Sequence, residues 1–539
     1  MDRHWLLSLR IAGRIYRYTT DPDGFEIEDS RSGTVYVFEP GLIDPSPTVS
    51  AEATDSIEIP MSVLLTEEAW EALAGLQNHG GLTAELALWT EGQDWSERQI
   101  WGDGRVDRPQ YETVGEPLVF SLVEVPWEDR SQIPSPSQQV SAATWPVNAG
   151  TVCPEDALGR YYPYVFGSPG VLRAEDSATQ FLGWPAVLVE VDAITNDNFS
   201  GTADAVVILA GHRVVGSSFL LYNMTTKQPP ATVSVAVSDD LAGQEVTIAT
   251  VAGATLQITS GDELWASCID AGNGGLVAPD GSVVRGAGQI ARWLIERSTC
   301  RFDLHKLPML SRIDAFKADF FINEPASAWG IINDTLMAGC LGLLPAYWRR
   351  SGAGMYLAVK PWEVAAVAGL PPSVTIDPDV TGGDREGAIV VSSSADMRTD
   401  IVVAYAKDPQ GGAFLRGLAY APVPTVGAVV NPYLSACYAT LRRRAVETLE
   451  LPAVQDPATA RLFADLEARI RAQTWRAGRY LQPPDPRLQV GGIAILTDSE
   501  VRIAGMRAWI VAVTVPGEGD FVTVDLAELP DWLRVTGGA

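Results

Sequence analysis

Period-two alternation opens the chain. Trp5-Leu6-Leu7-Ser8-Leu9-Arg10-Ile11, Thr34-Val35-Tyr36-Val37-Phe38 and Leu118-Val119-Phe120-Ser121-Leu122-Val123 interleave apolar and polar positions as half-buried strands do. Asp21-Pro22-Asp23-Gly24 between the first two is a turn, with Pro presetting φ and Gly supplying a positive φ. One helix is expected in this stretch, capped by Thr66, with Glu67 and Glu68 in its first turn and Trp70 and Leu73 on one face. Residues 1–128 therefore read as a β domain. Over 129–150 the periodicity stops, and Ser131-Gln132-Ile133-Pro134-Ser135-Pro136-Ser137-Gln138-Gln139 has the composition of an extended linker.

A second β domain is expected over 151–262, with strands at Ala186-Val187-Leu188-Val189-Glu190-Val191 and Val206-Val207-Ile208-Leu209-Ala210. Across 263–372 the period becomes helical: Ile290, Trp293, Leu294 and Arg297 share a face, as do Trp329, Ile332, Leu336 and Met337. This stretch reads as an α/β domain. Residues 373–539 return to strands near Ile389-Val390-Val391 and Ile401-Val402-Val403-Ala404-Tyr405. Two helices follow, one with Leu434, Cys437, Tyr438 and Leu441 on a face, the other opened by Asp456-Pro457 with Leu462, Leu466 and Ile470 in register. Closing strands at Ile493–Leu496, Ala508–Val513 and Phe521–Val524 make this part a β-barrel split by two helices. The fold class is multidomain α+β, β-rich.

Length agrees with that division. A chain of 539 residues exceeds one core, since single cores stop growing near ~250 to 300 residues. Composition is that of a globular chain, 46% hydrophobic and 20% charged. The net charge of -28 repels polyphosphate, which argues against a stable nucleic-acid grip and would suit a pore that DNA slides through; it equally serves solubility. Five cysteines, Cys153, Cys268, Cys300, Cys340 and Cys437, stand far apart with no C-x-x-C spacing, so they read as buried thiols of a reducing compartment. No apolar run approaches the ~18 to 20 residues of a membrane span, and the chain is expected to be made without a secretion step.

Candidate chemistry is sparse. The histidines are His4, His79, His212 and His305; Cys300 and His305 are five positions apart, which is not the long-range pairing of a thiol protease, and His212 is expected at a turn between strands. Nucleophile-elbow, phosphate-loop, zinc-protease and dinucleotide motifs are missing from the sequence. Asp377-Pro378-Asp379 resembles the start of a calcium loop but lacks the later oxygen ligands, so turn chemistry explains it. Arg442-Arg443-Arg444 reads as a solvated helix face. Among 67 acids a spatial pair for glycan hydrolysis stays open. Sixteen Trp residues are read mostly as core, with sugar stacking or interface anchoring as the other use. No catalytic residue, cofactor or metal ligand is assigned.

Four stretches, in order, resemble the baseplate hub or tail-tip hub proteins of tailed bacteriophages, of the siphophage and Mu-like kinds. They are Asp156 to Gly170, containing Tyr161-Tyr162-Pro163-Tyr164-Val165-Phe166-Gly167-Ser168-Pro169-Gly170; Gln289 to Ser298, continuing to Phe320-Phe321-Ile322-Asn323-Glu324-Pro325 and Trp329; Tyr433 to Cys437 with Asp456-Pro457-Ala458-Thr459-Ala460; and Leu488 to Asp498 with Trp509-Ile510-Val511. The last departs from the family's usual Gly-Asp, having Gly491-Gly492. The resemblance spans roughly 150 to 515 and leaves the first 130 residues less clearly matched.

It implies a homotrimer in which two β-barrel-like tube domains per chain make a pseudo-sixfold ring, with a further β domain and an α/β insertion beside them. The implied partners are the distal tail protein ring or tail tube, the central spike or fibre, the tape measure protein C-terminus, and DNA in transit. The implied place is the virion tail tip or baseplate, assembled in the host cytoplasm. Strands of the N-terminal domain, of 376–410 and of 488–526 are expected to line the lumen. The competing readings are a tail-associated glycan or peptidoglycan hydrolase and a receptor-binding or carbohydrate-binding tail protein.

Overall fold

Alternation in the first strand, Arg3–Ile11, is realised as burial on two sides. Trp5, Leu7, Leu9 and Ile11 enter one core, while Leu6 turns to a smaller cluster with Ile27, Phe38, Ala87 and Trp89. The computed structural model describes residues 3–529 except 44, 46, 51–57, 77, 78, 125–128, 142–149, 171–182, 194–203, 240–242, 244, 270–273, 352, 353, 361, 363–371, 409–411, 486 and 516–520.

The N-terminal β unit is a nine-stranded sheet that curls back on itself. Its spatial order is Phe25–Asp29, Thr34–Pro40, Arg14–Thr19, Arg3–Ile11, Thr83–Thr90, Gln99–Gln110, Leu118–Glu124, Glu58–Val63 and Leu42–Ile43. A single segment closes it. Glu39 and Pro40 pair with Tyr18 and Thr19, and Leu42 and Ile43 pair with Val63 and Ser62 on the far side. Between them the Gly41 amide donates to the Thr19 carbonyl at 3.2 Å, and the Gly41 carbonyl accepts from the Leu64 amide at 2.8 Å. Gly41 has φ +144, and a Cβ there would stand 2.6 Å from the Leu64 carbonyl oxygen, so only glycine allows this closure.

Helix Glu67–Ala74 packs Ala69, Trp70 and Leu73 inward, as its spacing predicts. Thr66 does not cap it with its side chain; its amide instead donates to the Tyr18 hydroxyl at 3.3 Å, which ties the threonine to the barrel.

The middle β unit is a closed antiparallel barrel. Six strands run in the order Trp184–Asp192, Asp204–Ala210, Glu245–Ala252, Ala231–Asp239, Ser218–Asn223 and Leu264–Cys268, and the last pairs with the first through Trp184 and Ala266. Strand Trp184–Asp192 is buried almost throughout because its outer side is also covered, Val187 and Val189 packing with Val140, Ala157 and Tyr162. That double cover explains a sequence run with almost no alternation. Trp184 is fully buried, and its indole N–H is satisfied by the Leu209 carbonyl at 2.7 Å.

The α/β part holds helix Ala287–Ile295 and helix Ala328–Gly330, which widens into π-type turns over Ile331–Met337. A hairpin, Ala346–Ser351 with Gly354–Val359, follows. Strand Asp400–Lys407 does not enter the C-terminal barrel expected from the sequence. It lies in a separate four-stranded sheet, ordered Ala428–Val430, Phe414–Ala421, Asp400–Lys407 and Val446–Leu451. Helices Pro432–Leu441 and Pro457–Arg471 accompany this sheet, and its buried side joins the core of the α/β part. Asp456 caps the second helix by accepting the Thr459 amide at 2.9 Å, with Pro457 in the first turn.

The C-terminal sheet runs Val374–Ile376, Ile493–Asp498, Ile503–Thr514, Val522–Glu528, Arg476–Gln482 and Asp384–Arg385. Here too one segment, leading from Val374–Ile376 through a short helix at Pro378–Thr381 to Asp384–Arg385, crosses from one edge to the other. Among the described residues no helix is long and apolar enough to cross a membrane.

Candidate functional site: a twin β unit and the knot beside it

The first and last β units form one body. Thr48, Val49 and Ser50 pair antiparallel with Thr514, Val513 and Ala512, so a strand from the N-terminal part extends the C-terminal sheet. Their apolar faces merge: Trp5, Leu9, Met61 and Phe120 share a core with Ile376, Tyr480, Leu496, Ile510 and Val524. Segments far apart in sequence are thereby fixed side by side.

The hairpin 346–359 is the wall between this core and that of the α/β part. Ala346, Trp348, Met355, Leu357 and Val359 point into the α/β core, while Tyr347, Tyr356 and Ala358 point into the twin β unit. A two-residue period on a strand puts neighbours on opposite faces, so one hairpin belongs to both cores. It is also tied at its rim. The Tyr347 hydroxyl and the Arg349 guanidinium donate to the Val490 carbonyl at 3.1 and 2.9 Å, and Arg350 approaches Asp103 of the N-terminal unit at 3.4 Å.

Within the C-terminal sheet, Tyr480 donates its hydroxyl to Asp498 at 3.0 Å and Arg385 donates to the same carboxylate at 3.1 Å. Burial, with Asp498 beside it, pushes the Tyr480 hydroxyl well above the ordinary tyrosine range, so it stays a donor.

The first and third of the stretches singled out in the sequence converge elsewhere with residues flanking the second, on a buried ion pair. Arg285 grips Asp319 through two bonds, Nε to Oδ1 at 2.6 Å and Nη2 to Oδ2 at 2.9 Å, with the Asp319 side chain fully buried. Burial alone would lower the Arg285 pKa, but the facing Asp319 carboxylate outweighs it and holds the pKa above the usual value. The Ser168 amide, in the Phe166-Gly167-Ser168-Pro169-Gly170 turn, donates to Asp319 Oδ1 at 2.7 Å. The Gly170 amide donates to Gln455 at 2.8 Å, the Asp319 amide to the Ala453 carbonyl at 2.8 Å, and Thr459 receives the Lys317 amide at 3.1 Å. Ser267 of the closed barrel donates to the Gly170 carbonyl. Gly167, at φ +73, is pressed so closely on Ala318 and Asp319 that no Cβ fits. These motif residues act as a knot that ties the middle barrel to the α/β part.

The stretch expected to be a linker is extended and well anchored where it is described, 129–141. Asp129 accepts the amides of Ser131, Thr299 and Trp329, each at 3.0 Å, and Ile133 exchanges backbone bonds with Ala326. Hydrogen bonding from these donors outweighs burial and holds the Asp129 carboxyl below its ordinary range.

The sequence's candidate chemical groups are dispersed. His4 meets Asp21 at 3.4 Å, His79 meets the Tyr111 hydroxyl at 3.3 Å, and the His305 amide donates to Asp303. His212 lies at the expected turn and is buried; burial lowers its pKa to about 4. All five cysteines are free thiols, and burial pushes Cys340 up to about 12. Asp377 caps the next turn by accepting the Asp379 amide at 3.2 Å, as turn chemistry requires. Arg442, Arg443 and Arg444 are exposed, as expected, but lie past the end of helix Pro432–Leu441, and Arg444 pairs with the buried Asp400.

Three clefts stand out, of ≈ 520, 590 and 510 Å³. Glu97 and Asp485 line the first, Glu386 and Asp525 the second and Asp103 the third; Asp485, Asp525 and Asp103 pair with Arg487, Arg479 and Arg350, and Glu97 accepts the Asp94 amide at 3.2 Å. Glu467, the carboxyl that burial holds above its ordinary range, lines none of these clefts and bonds to Arg471 one helical turn away. Among the described residues no group of three or more His, Cys, Asp or Glu side chains could hold a metal ion.

No family model and no curated protein matches the chain. Among solved structures it is similar to the tail protein from Neisseria meningitidis MC58, at 9% identity over 97% of this chain and 96% of that one, with a TM-score of 0.38. A second is the 43 kDa tail protein of prophage MuSo2 from Shewanella oneidensis, at 9% identity over 98% and 99%, with a TM-score of 0.33. Both are tail proteins. A chain from the virion of a native gene transfer agent particle is similar over 46% of this chain and 79% of that one, at 12% identity and a TM-score of 0.20.

Proposed function

We propose that the chain is a structural hub of a phage tail baseplate or tail tip, without catalytic activity of its own. In this reading it joins a sixfold tail tube or distal tail ring to a threefold central spike or fibre and forms part of the DNA ejection channel. The observation that carries the reading is the twin β unit, in which the first and last sheets share one core and one interchanged strand. In each, a single segment crosses from edge to edge. Two such units per chain, repeated by a threefold axis, present six units to a sixfold partner, which is how a trimer matches a hexameric ring. The four sequence stretches that resemble phage hub proteins point the same way, and the net charge of -28 suits a passage that DNA leaves without adhering.

The test is the mass of the purified full-length chain, alone and mixed with the distal tail ring of the same phage. A trimer that caps the ring supports the hub. A monomer that ignores the ring overturns it, and glycan-cleavage assays would then decide the hydrolase reading.

A further inference from the structure

One cleft combines a small volume with a reversal of the chain's charge. The ≈ 510 Å³ cleft lies between one end of the N-terminal β unit and the segment 299–302. Neighbouring strands put Arg10, Thr83 and Gly104 side by side on the first wall, since Arg10 pairs with Thr83 and Ala84 with Gly104. On the second wall the Arg130 amide donates to Thr299 Oγ1 at 2.7 Å, and Arg301 is fixed by the Met355 amide donating to its carbonyl at 3.2 Å. Arg350 reaches in from the hairpin beside Asp103.

Four arginines and one carboxylate thus line the cleft, and Arg350 is paired with that carboxylate, in a chain that has 39 basic residues against 67 acidic ones. Among the described residues no carboxylate pairs with the Arg10 or Arg130 side chain. Like charges gathered in a cleft repel, and an anion placed between them removes that cost. Guanidinium forks match the two oxygens of a carboxylate.

We infer that this cleft binds an acidic peptide segment, whose carboxylates Arg10 and Arg130 receive. Its volume falls within the roughly 300 to 1,000 Å³ of ligand sites and is too small to seat a nucleic-acid duplex. The charge of -28 opposes the approach of a polyphosphate far more than that of a segment with two or three carboxylates.

The experiment titrates the full-length chain into a fluorescently labelled, C-terminally amidated hexapeptide of alternating Glu and Ser and follows anisotropy. Binding should weaken by about tenfold or more in Arg10→Ala/Arg130→Ala, a change expected for losing two charge-assisted contacts. It should be unchanged in Arg443→Ala, an exposed arginine outside the cleft. Both substituted cleft arginines are exposed, so an unchanged Tm is expected. Arg10→Lys/Arg130→Lys should recover part of the affinity, because charge returns without the fork. No peptide binding, equal binding by the double alanine variant, or binding of inorganic phosphate and an oligonucleotide in place of the peptide each overturns the inference.

Discussion

Tyr347 and Trp348 are adjacent in sequence and stand in different cores. The Tyr347 hydroxyl donates to the Val490 carbonyl at 3.1 Å in the twin β unit, and Trp348 Nε1 donates to Asn333 Oδ1 at 2.9 Å in the α/β part. One strand therefore couples the two bodies through its pleat. Trp348 is fully buried and stacks on Trp329 with ring centroids 4.1 Å apart. Trp348→Ala should cost about 3 to 5 kcal/mol through lost burial and the cavity left behind. Tyr347→Phe keeps its ring and loses one hydrogen bond, about 1 kcal/mol. Urea unfolding of the two variants should rank them in that order.

The same tyrosine explains why residue 491 is glycine. A Cβ on Gly491 would collide with the Tyr347 hydroxyl, and φ at this residue is +77. Gly491→Ala should therefore suffer both backbone strain and the clash. Combining it with Tyr347→Phe removes the hydroxyl and leaves only the strain. The double variant should be more stable than the sum of the two single effects, by about 0.5 to 3 kcal/mol of coupling in a double-mutant cycle.

The Arg285 and Asp319 pair makes a third case. Asp319→Ala leaves a guanidinium buried without its carboxylate and should cost about 3 to 5 kcal/mol, more than a surface ion pair would. Arg285→Met/Asp319→Leu removes both charges at similar volume and should recover most of that loss. Thermal unfolding of the two variants decides it: a double variant as unstable as Asp319→Ala would show that the Ser168 bond and the close approach of Gly167, rather than charge balance, hold the knot.

How far the sequence announces these features depends on whether a residue's role is local. Strands such as Arg3–Ile11 and helix Pro457–Arg471 were legible because alternation, the Asp456 cap and Pro457 act within a few residues. Strand Asp400–Lys407 was legible as a strand but not by sheet, because its apolar run would suit either core. Gly41 gave no signal at all, since its need for φ +144 comes from Thr19 and Leu64, which only the closed sheet brings to it. Phe166-Gly167-Ser168 stands out in the sequence, but its use is hidden: Arg285 and Asp319 look like surface charges until the knot buries them. The arginine cleft was equally silent, its four residues lying on separate segments.

His212 supplies the pH dependence. Its ring is fully committed in the neutral form: Nε2 accepts the Val165 amide at 3.0 Å, and Nδ1, 2.9 Å from the Arg213 carbonyl, donates to it. A proton added at Nε2 would face the Val165 N–H, donor against donor. Around the ring stand the Tyr164 ring at 5.0 Å and the Arg213 backbone, while Arg213 turns its charge to Glu245. Thr247 donates to the His212 carbonyl. Burial lowers the folded pKa to about 4, below the roughly 6.5 of an unfolded histidine. The unfolded chain thus binds the proton first as pH falls. The group's contribution is complete above about pH 6.5 and declines toward pH 4, a total of about 3 kcal/mol for the gap between the two values. His212→Gln cannot titrate, so its urea midpoint should fall less between pH 7.5 and 4.5 than that of the wild type. Equal falls would mean that the ring is charged in the folded protein and that the Val165 bond is not made.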